Sequence, residues 1–432
     1  MTTRHNPDNS ILRFAHPLKF GLMGIAIYSI LFLFSPLVVD IEFSIGGIIY
    51  IVLGYLAFFA GGCFTSIIPR KSTKKATTLT LDVPRLFRFV SAAAILGLGL
   101  RIIDRFFIRN VSLAQSVMER REALESGGSN LFSTFSAALY PFSLLTFFCY
   151  FLLCRSDGKH HPVALIVTIL TFFLPSLDAT MLGSRSTILM SVSLLFLYLL
   201  YFRVLRFKPS HLIVVTLSGV LLFLFSSWIF MDRLSVMGID ILFSILQSGY
   251  AFTLQPKTWI VNFLSDTTSN LAHIATFTYL NVSQYFLHGL FEFLYLYDNF
   301  NWTYSHSWGS NTFFVAFKLI AQLFGEGLST DYLIELQPRS GVYTTFFGPI
   351  FVDFGWFGLI PIFIFGLVSS LIWRSSLNGD ILAIPPLFYL NIIIIFMPIV
   401  NLIQSAGGVY VLGAFAAYYW LSKRLFLRHY DA

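Results

Sequence analysis

Apolar runs of about twenty residues follow one another along this sequence, and they constrain its fold more than any other feature. A helix needs about 20 apolar residues to cross the hydrocarbon core of a bilayer, and its backbone hydrogen bonds are then satisfied internally. Charged residues make up only 11% of the chain, against about 25% in soluble domains. The sequence therefore predicts an all-α polytopic membrane protein.

The runs predict about ten transmembrane helices, or 10–12 if the long segment 231–346 holds further spans. No internal repeat or low-complexity tract divides the chain, so residues 1–432 are expected to form a single integral membrane domain. The ten predicted spans lie near residues 18–38, 45–68, 86–106, 133–154, 161–178, 187–204, 211–230, 347–373, 381–401 and 407–422.

Lys and Arg residues indicate the orientation, because the cytoplasmic loops of membrane proteins are enriched in them. With the amino terminus inside, every even-numbered span ends in a basic loop or tail, and both termini are predicted to be cytoplasmic. The same rule explains most of the net charge of +7, so no nucleic-acid partner is expected. The basic residues left outside are Arg101, Arg105, Arg109, Arg120, Arg121, Arg185, Arg233, Lys257, Lys318 and Arg339.

Two predicted outer segments are long, 107–132 and 231–346. The second is rich in aromatic, amphipathic stretches, which favour helices lying at the membrane interface or covering a cavity. Loops of this length in a compact protein are usually functional. We therefore expect one large outer loop that contains interfacial helices.

Most of the outer basic residues are arginines, the side chain best suited to bidentate binding of phosphate or carboxylate. Arg101, Arg105 and Arg109 recur every four residues, which predicts a stripe that either reaches lipid phosphates or guides an anion. The alternatives for the others are local ion pairs: Arg120 and Arg121 stand between Glu119 and Glu122, and Arg233 follows Asp232. Arg185, in a turn of small residues between two spans, favours a bound anion.

The stretch Pro338–Gly358 begins with polar residues and then places one carboxylate, Asp353, in an apolar run. A charge in hydrocarbon costs roughly 3 kcal/mol or more, so Asp353 is expected to face protein or water. It either pairs with an outer arginine or supports a site group. His288 lies in another aromatic stretch, where it is either a structural residue or a proton acceptor. His306 is a weaker candidate.

Motifs for nucleotide or metal chemistry are missing from the sequence: it has no P-loop, no GxGxxG after a strand, no HExxH and no CxxC. The three cysteines lie in or beside apolar runs without metal-ligand spacing and are interpreted as small buried hydrophobes. The sequence therefore predicts no metal ion and no cofactor. Asp40 and Glu42 in the first outer turn are too isolated to suggest a catalytic site.

Three stretches together resemble the O-antigen polymerases, the Wzy-type oligosaccharide repeat-unit polymerases of Gram-negative bacteria. They are the Gly-Ser-Arg turn at 183–185, the segment Tyr285–Gly289, and above all Ser340–Gly358, SGVYTTFFGPIFVDFGWFG. The predicted topology is similar too, with ten or more spans, both ends inside and one dominant periplasmic loop.

This resemblance implies a membrane glycosyltransferase of the inner membrane that acts at its periplasmic face. The growing glycan would pass from undecaprenyl diphosphate to the terminal sugar of a new lipid-linked repeat unit, with membrane lipids, a Wzz-type chain-length co-polymerase and a Wzx-type flippase as further partners. The resemblance assigns diphosphate binding to Arg185, Arg233 and Arg339, with Arg120 and Arg121 behind them. It leaves the base as His288 or Asp353, and Tyr343 and Thr344 are expected to bind substrate.

Two other functions stay open on the sequence. An O-antigen ligase shares this architecture, and only the stretch Phe347–Gly358, FGPIFVDFGWFG, favours a polymerase over it. A lipid-linked oligosaccharide flippase or other transporter would show two repeated halves and charges inside the bundle, so the missing repeat and the lopsided loop make it the weaker alternative.

Overall fold

The described part of the protein is a helical bundle with two short strand pairs. The computed structural model describes residues 9–68, 79–112, 115, 119–120, 123–124, 130–181, 186–205, 245–267, 269–302, 306–323, 336–339, 341–404 and 406–429. The helices are α1 (Asn9–Phe14), α2 (Pro17–Leu33), α3 (Ile45–Phe64), α4 (Val83–Ile102), α5 (Leu131–Leu139), α6 (Thr146–Asp157), α7 (Pro162–Met181), α8 (Ser186–Tyr201), α9 (Thr258–Asp266), α10 (Asn270–Asp298), α11 (Phe314–Leu323), α12 (Phe347–Phe354), α13 (Leu359–Leu377), α14 (Ile384–Phe396) and α15 (Ala406–Leu425). The strands are β1 (Leu37–Val39), β2 (Leu79–Leu81), β3 (Leu254–Pro256) and β4 (Leu427–His429).

Five helical segments in the described part of the chain are long and apolar enough to cross a membrane. They are Ile45–Phe64, Val83–Ile108, Leu131–Asp157, Pro162–Ala179 and Phe347–Leu377. Three shorter apolar helical segments accompany them: Pro17–Leu33, Thr187–Tyr201 and Ile381–Phe396. The helical class expected for a membrane protein is thus confirmed. The run 211–230 lies outside the described residues, and the count of about ten spans stays a prediction.

The strand pairs lie at opposite ends of the bundle. β1 pairs with β3 and β2 pairs with β4, both antiparallel. We call the first end the Ser44 end, after the residue that caps the start of α3. The other is the Arg374 end, where Arg374 at the end of α13 donates to the carbonyls of Thr65 and Ile68 after α3. β1 and β3 both lie in segments that the basic residues predict to be outside, and β2 and β4 both lie in segments predicted to be cytoplasmic.

Glycines let the central helices pack closely, as is common in membrane bundles. A Cβ on Gly61 of α3 would lie 2.0 Å from the carbonyl oxygen of Phe363 in α13. One on Gly366 of α13 would lie 2.1 Å from the carbonyl oxygen of Phe58 in α3. These two helices therefore run side by side with their backbones in contact.

The predicted span 347–373 lies within the helical segment Phe347–Leu377, but this segment is interrupted at Gly355, which was not predicted. This residue has φ 53°, a conformation that helix-forming residues other than glycine rarely adopt. A Cβ built on Gly54 of α3 would lie 2.6 Å from the Phe347 ring and 3.6 Å from Ile362. The first residue of α12 and the fourth of α13 thus lie level with each other, so the two helices form an antiparallel hairpin.

The predicted span 381–401 also ends early, since α14 stops at Phe396. The residues that follow, 397–404, contain no helix and meet the non-helical residues 341–346 inside the bundle. We call these two segments together the loop crossing. Its position is inside the protein because Phe347, the next residue after 341–346, packs level with the middle of α3.

α10 lies within the segment 231–346, and it is 29 residues long. It contacts α2 and α3, and the side chains of Leu287 and Phe293 are fully buried. It is not among the five apolar spans of the described chain. The part of this segment that is described therefore contributes a buried helix to the bundle, alongside the short surface helix α9.

Candidate functional site

A cavity of about 600 Å³ lies in the middle of the bundle. The loop crossing and the helices α4, α5, α7, α8, α10, α11, α14 and α15 all contribute residues to its lining. Most of the lining is apolar, and its polar side chains among the described residues are Arg101, Tyr140, Thr187, Tyr285, Asn311, Tyr343, Asn401, Gln404 and Tyr410. We call this the central cavity. Mostly apolar pockets with a few placed polar groups are typical of ligand sites.

The loop crossing is held together by backbone contacts. The N–H of Phe346 donates to the carbonyl of Met397 at 2.9 Å, and Thr345 forms a parallel bridge with Val400. Thr345 has φ 64°, which is strained for a β-branched residue. In membrane proteins, non-helical backbone inside the bundle occurs where it is buried in protein or lines a cavity. The crossing does both, which marks it as a candidate site.

Tyr343, predicted to bind substrate, lines the cavity and is 37% exposed. Its ring lies 5.6 Å from that of Tyr285. Thr344, predicted alongside it, is instead buried against α12, where its Oγ1 would lie 2.1 Å from a Cβ on Gly348. Of the two predicted substrate-binding residues, the structure brings Tyr343 to the cavity and places Thr344 behind it.

His288 is fully buried in α10 and is not part of the cavity lining. Its Nδ1 is 2.8 Å from the carbonyl of Gln284, and the N–H of Tyr343 donates to its Nε2 at 3.4 Å. These partners require the proton on Nδ1 of a neutral ring. Burial lowers the pKa of His288 to about 4, so the neutral form holds at physiological pH. In this geometry the histidine supports the backbone of Tyr343.

Gln284, His288 and Glu292 form a polar stripe on α10, spaced four residues apart and almost fully buried. Glu292, which is 1% exposed, was not predicted as a site residue. The regular i, i+4, i+8 spacing in an aromatic helix was the signal for it. Burial raises the pKa of Glu292 to about 7, against the opposing effect of Arg339.

Arg339, the predicted diphosphate ligand, is the partner of this stripe. Its Nη1 donates to Glu292 at 2.7 Å, and its Nη2 donates to the carbonyl of Gly249 at 2.6 Å. The guanidinium lies 4.1 Å from the ring centre of Phe252. It is not among the residues that line the cavity. Here Arg339 ties the segment before β3 to α10.

Asp353 is fully buried and accepts three hydrogen bonds from one turn. The N–H groups of Asn311 and Thr312 each donate at 2.9 Å, and the hydroxyl of Ser307 donates at 2.6 Å. No arginine pairs with Asp353 within the described residues. This carboxylate therefore fixes the turn 307–312. In this geometry its oxygens accept hydrogen bonds from protein groups and do not face a substrate.

The predicted arginine stripe begins at the end of α4 and continues into a π-helical turn, Ile103–Ile108. This turn changes how the three arginines pair. Arg101 and Arg105 both bind the carboxylate of Asp178 on α7, the first at 2.7 Å. Arg109 pairs with Asp104 at 3.0 Å. Arg101 also lines the cavity and stacks on Tyr140, 4.5 Å from its ring centre. Turns of this type often occur at functional sites.

The other predicted arginines are less informative. Arg120 donates from Nε and Nη2 to the carbonyl of Gln115, whereas Arg121, Arg185 and Arg233 lie outside the described residues. Their assignment to the diphosphate stays a prediction. In the same described ranges, no group of three or more His, Cys, Asp or Glu side chains is arranged to hold a metal ion.

His306 packs its ring against Phe300, with 5.4 Å between ring centres. It also faces Gly355, where an added Cβ would lie 2.5 Å from its Nε2. This weaker candidate therefore supports the break between α12 and α13.

The chain was compared with protein-family models, with characterised proteins and with solved structures, and none of the three comparisons gives a match.

Proposed function

We propose that this chain polymerises lipid-linked oligosaccharide repeat units at the outer face of the inner membrane. It would transfer the growing glycan from undecaprenyl diphosphate to the terminal sugar of a new lipid-linked unit. The proposal rests on one observation above all: a largely apolar cavity inside a membrane-type bundle is lined by one guanidinium, that of Arg101, and by several amide and phenol groups.

This composition suits an amphiphilic substrate. A polyprenyl chain needs apolar surface, a sugar needs hydrogen-bonding groups and aromatic faces, and a diphosphate needs positive charge. The cavity offers all three, with apolar groups from Leu144, Met190, Phe286 and Phe314 beside the polar residues.

The positive charge lies beside Tyr140. Arg101 and Arg105 share the single carboxylate of Asp178, so this group carries one more positive charge than negative. In a cavity of low dielectric such a charge favours an anion, and guanidinium groups bind phosphate through charge-assisted hydrogen bonds. Ser186, the residue after the predicted ligand Arg185, begins α8, whose Thr187 lines the same cavity.

The reaction would proceed by attack of an acceptor hydroxyl oxygen on the anomeric carbon of the donor sugar. The bond between that carbon and the phosphate oxygen breaks, and the electron pair leaves with the diphosphate. Negative charge develops on the leaving group, and fixed arginines would stabilise it more in the transition state than in the bound substrate. Among the described residues, Arg101 would supply this stabilisation, because its guanidinium lines the cavity.

The proton of the acceptor hydroxyl needs a base, and the two predicted candidates stay predictions. His288 and Asp353 both lie outside the cavity lining, with their polar atoms bonded to protein groups. Each contacts a residue that lines the cavity. The backbone N–H of Tyr343 donates to His288, and the backbone N–H of Asn311 donates to Asp353. If both act only as positioning residues, the proton of the acceptor hydroxyl would leave on the departing diphosphate, whose oxygens gain negative charge as the bond to the anomeric carbon breaks.

Deletion of the gene tests the proposal. A polymerase mutant makes lipopolysaccharide capped with one repeat unit. Unsubstituted core with accumulated polymer would instead identify a ligase, and failure of repeat units to reach the periplasm would identify a flippase. Normal chain length in the deletion strain would refute all three functions. Complementation with Arg185→Ala, which should not restore long chains, then tests the arginine that lies outside the described residues.

A further inference from the structure

Two arginines and one carboxylate form a cluster beside the central cavity. Arg101 donates from its Nε to the Oδ2 of Asp178 at 2.7 Å, and Arg105 donates from its Nη1 to the Oδ1 of the same carboxylate. Arg101 lines the cavity, and so does Pro175 of α7, three positions before Asp178. Residues three positions apart are neighbours on one side of a helix. The carboxylate therefore lies next to the cavity lining without being part of it.

The guanidinium of Arg101 keeps donors for a ligand. A guanidinium has five N–H groups, and within the described residues the hydrogen bond of Arg101 uses only its Nε. The side chain is 27% exposed, and neither Nη atom is among the buried polar atoms that lack a partner. The ring of Tyr140 packs against the group, with its centre 4.5 Å from Cζ. Asp178 and Tyr140 thus hold the guanidinium, while its two Nη groups are accessible.

The charges of this cluster do not cancel. Two guanidinium groups share the one carboxylate of Asp178, and the neighbouring carboxylate of Asp104 is paired with Arg109 at 3.0 Å. The side chains of Arg105 and Arg109 are each 7% exposed, and salt screens such partly buried charges only weakly. The described residues therefore place one uncompensated positive charge beside the cavity.

The size of this excess matters because the proposed reaction changes the charge of the lipid diphosphate. In the donor, both ends of the diphosphate are esterified, to the polyprenyl chain and to the sugar. The released product instead ends in a free phosphate, whose second pKa is about 6, so it carries more negative charge than the donor at neutral pH. Each further positive charge in the site would therefore strengthen the binding of product more than that of donor.

We propose that Asp178 is a positioning residue with two effects on the diphosphate site. Its carboxylate binds the Nε of Arg101, which leaves the Nη groups for the diphosphate, and it limits the excess positive charge of the site to one. The released diphosphate is then held weakly enough to leave before the next transfer. Asp178 does not itself touch the ligand. This inference rests on the proposed function for the identity of the ligand, a polyprenyl diphosphate.

Binding of farnesyl diphosphate to the full-length protein in lipid nanodiscs tests this role without requiring catalysis. The probe is soluble and has a short isoprenoid tail and a free terminal phosphate. Asp178→Asn raises the excess charge of the cluster to two, Arg105→Gln lowers it to zero, and the double variant returns it to one. Asp82→Asn is the matched control, because Asp82 pairs with Arg85 at the other end of α4 and asparagine caps a helix as well as aspartate does.

Asp178→Asn should bind the probe roughly 3–10-fold more tightly than the wild type, and Arg105→Gln roughly 3–10-fold more weakly, because each changes one charge near the ligand. The double variant and Asp82→Asn should bind like the wild type. The affinity of Asp178→Asn should also fall more steeply with added salt. If Asp178 only held the fold together, its loss would weaken binding, which is the opposite sign.

Farnesol, which has the same tail without phosphates, should bind all variants equally and so shows that their cavity is folded. Weaker or unchanged binding of farnesyl diphosphate by an Asp178→Asn protein that still binds farnesol overturns the role of Asp178, as does no binding by the wild type. If Asp178→Asn alone does not fold, the double variant decides. It should bind the probe more tightly than Arg105→Gln, and equal affinities overturn the proposal.

The proposed function has a separate outcome. If deletion of the gene leaves polysaccharide length unchanged while this order of affinities is found, the polymerase proposal fails and the diphosphate site with its positioning carboxylate stands. If deletion leaves single repeat units while Asp178→Asn binds the probe no more tightly than the wild type, the polymerase stands and the role of Asp178 is overturned.

Discussion

The bundle contains two buried polar clusters that differ in what their hydrogen-bonding groups face. The stripe of Gln284, His288 and Glu292 on α10, with Arg339, has each side chain bonded to protein groups. The second cluster, Arg101 and Arg105 with Asp178, instead places the guanidinium of Arg101 in the lining of the central cavity.

The difference separates two uses of charge inside an apolar protein. A buried charge that is paired and hydrogen-bonded holds elements together, and breaking its pair costs stability. A cavity-lining group whose positive charge exceeds that of its protein partners, as Arg101 and Arg105 exceed Asp178, is available for an anionic ligand. The α10 cluster therefore should govern stability, and the cavity walls should govern activity.

Glu292→Ala should have the largest effect on stability. It leaves the Arg339 guanidinium without its carboxylate, and breaking a buried pair costs about 3–5 kcal/mol. The side chain of Arg339 is 20% exposed, so water screens part of this loss and places it at the lower end. Thermal unfolding of the purified protein measures the effect.

The paired variant Glu292→Gln with Arg339→Gln removes both charges and provides the control. It should be clearly more stable than Glu292→Ala, because no charge is left unpaired. If the double variant unfolds as readily as Glu292→Ala, the ion pair is not what stabilises this cluster.

Arg101→Lys should reduce polymer formation roughly 100-fold with little loss of folded protein. Lysine keeps the charge but cannot reproduce the planar fork of a guanidinium, and loss of one donor to a developing oxyanion costs about 10²–10³ in rate. Arg85→Lys is the matched control on the same helix, since Arg85 is exposed. The measurement is the chain-length ladder together with the melting temperature. Normal ladders in Arg101→Lys contradict the role of this wall.

Asp353→Asn should have an intermediate effect on stability. The NH2 of the new amide cannot accept the hydrogen bonds that the carboxylate accepts from the turn. A buried donor left without its acceptor costs about 1–3 kcal/mol, so the turn that carries Asn311 is expected to shift. The melting temperature should fall accordingly. Asp266→Asn, at the exposed end of α9, should leave it unchanged. An unchanged melting temperature in Asp353→Asn would show that this carboxylate does not stabilise the turn 307–312.

The smallest net effect should appear in the pH dependence of the wild-type α10 cluster, because its two titratable groups act in opposite directions. The pKa of His288 is lowered from 6.5 to about 4 in the folded protein. As the pH falls from about 6.5 to 4, the unfolded chain therefore binds a proton that the folded protein does not, and stability is lost. The pKa of Glu292 is raised from 4.5 to about 7, so stability is lost as the pH rises from about 4.5 to 7. Each group contributes at most about 1.4 kcal/mol per pH unit.

These two opposite contributions can be separated by melting curves between pH 4 and 7.5. Glu292→Gln should gain stability with rising pH up to about 6.5, and His288→Asn should lose it from about pH 4.5 upwards. Parallel curves for the two variants would contradict the assignment.

The helices were predictable from the sequence because their signal is local. Each predicted run within the described residues overlaps a helix, since about twenty apolar residues favour a helix whatever surrounds them. The break at Gly355 was not predicted, because it depends on how α12 folds back on α13 beside Gly54 of α3. That contact joins residues that are far apart along the chain.

The site was less predictable for the same reason. Tyr343 was identified because it lies in the polar start of the stretch Pro338–Gly358, and it does line the cavity. Arg339 and Asp353 were identified as unusual charges, but their partners, Glu292 and the turn 307–312, lie more than forty positions away. Asn311 carried no local signal at all. A charge can be recognised in a sequence, whereas the group that satisfies it is known only from the fold.

The loop crossing has a consequence for evolution. Its contacts run from the backbone of Phe346 to the backbone of Met397, and between Thr345 and Val400. Such contacts constrain main-chain geometry and leave most side chains free to vary. Lineages that inherit this crossing can therefore diverge until their sequences share little, while the cavity wall that they inherit keeps its shape.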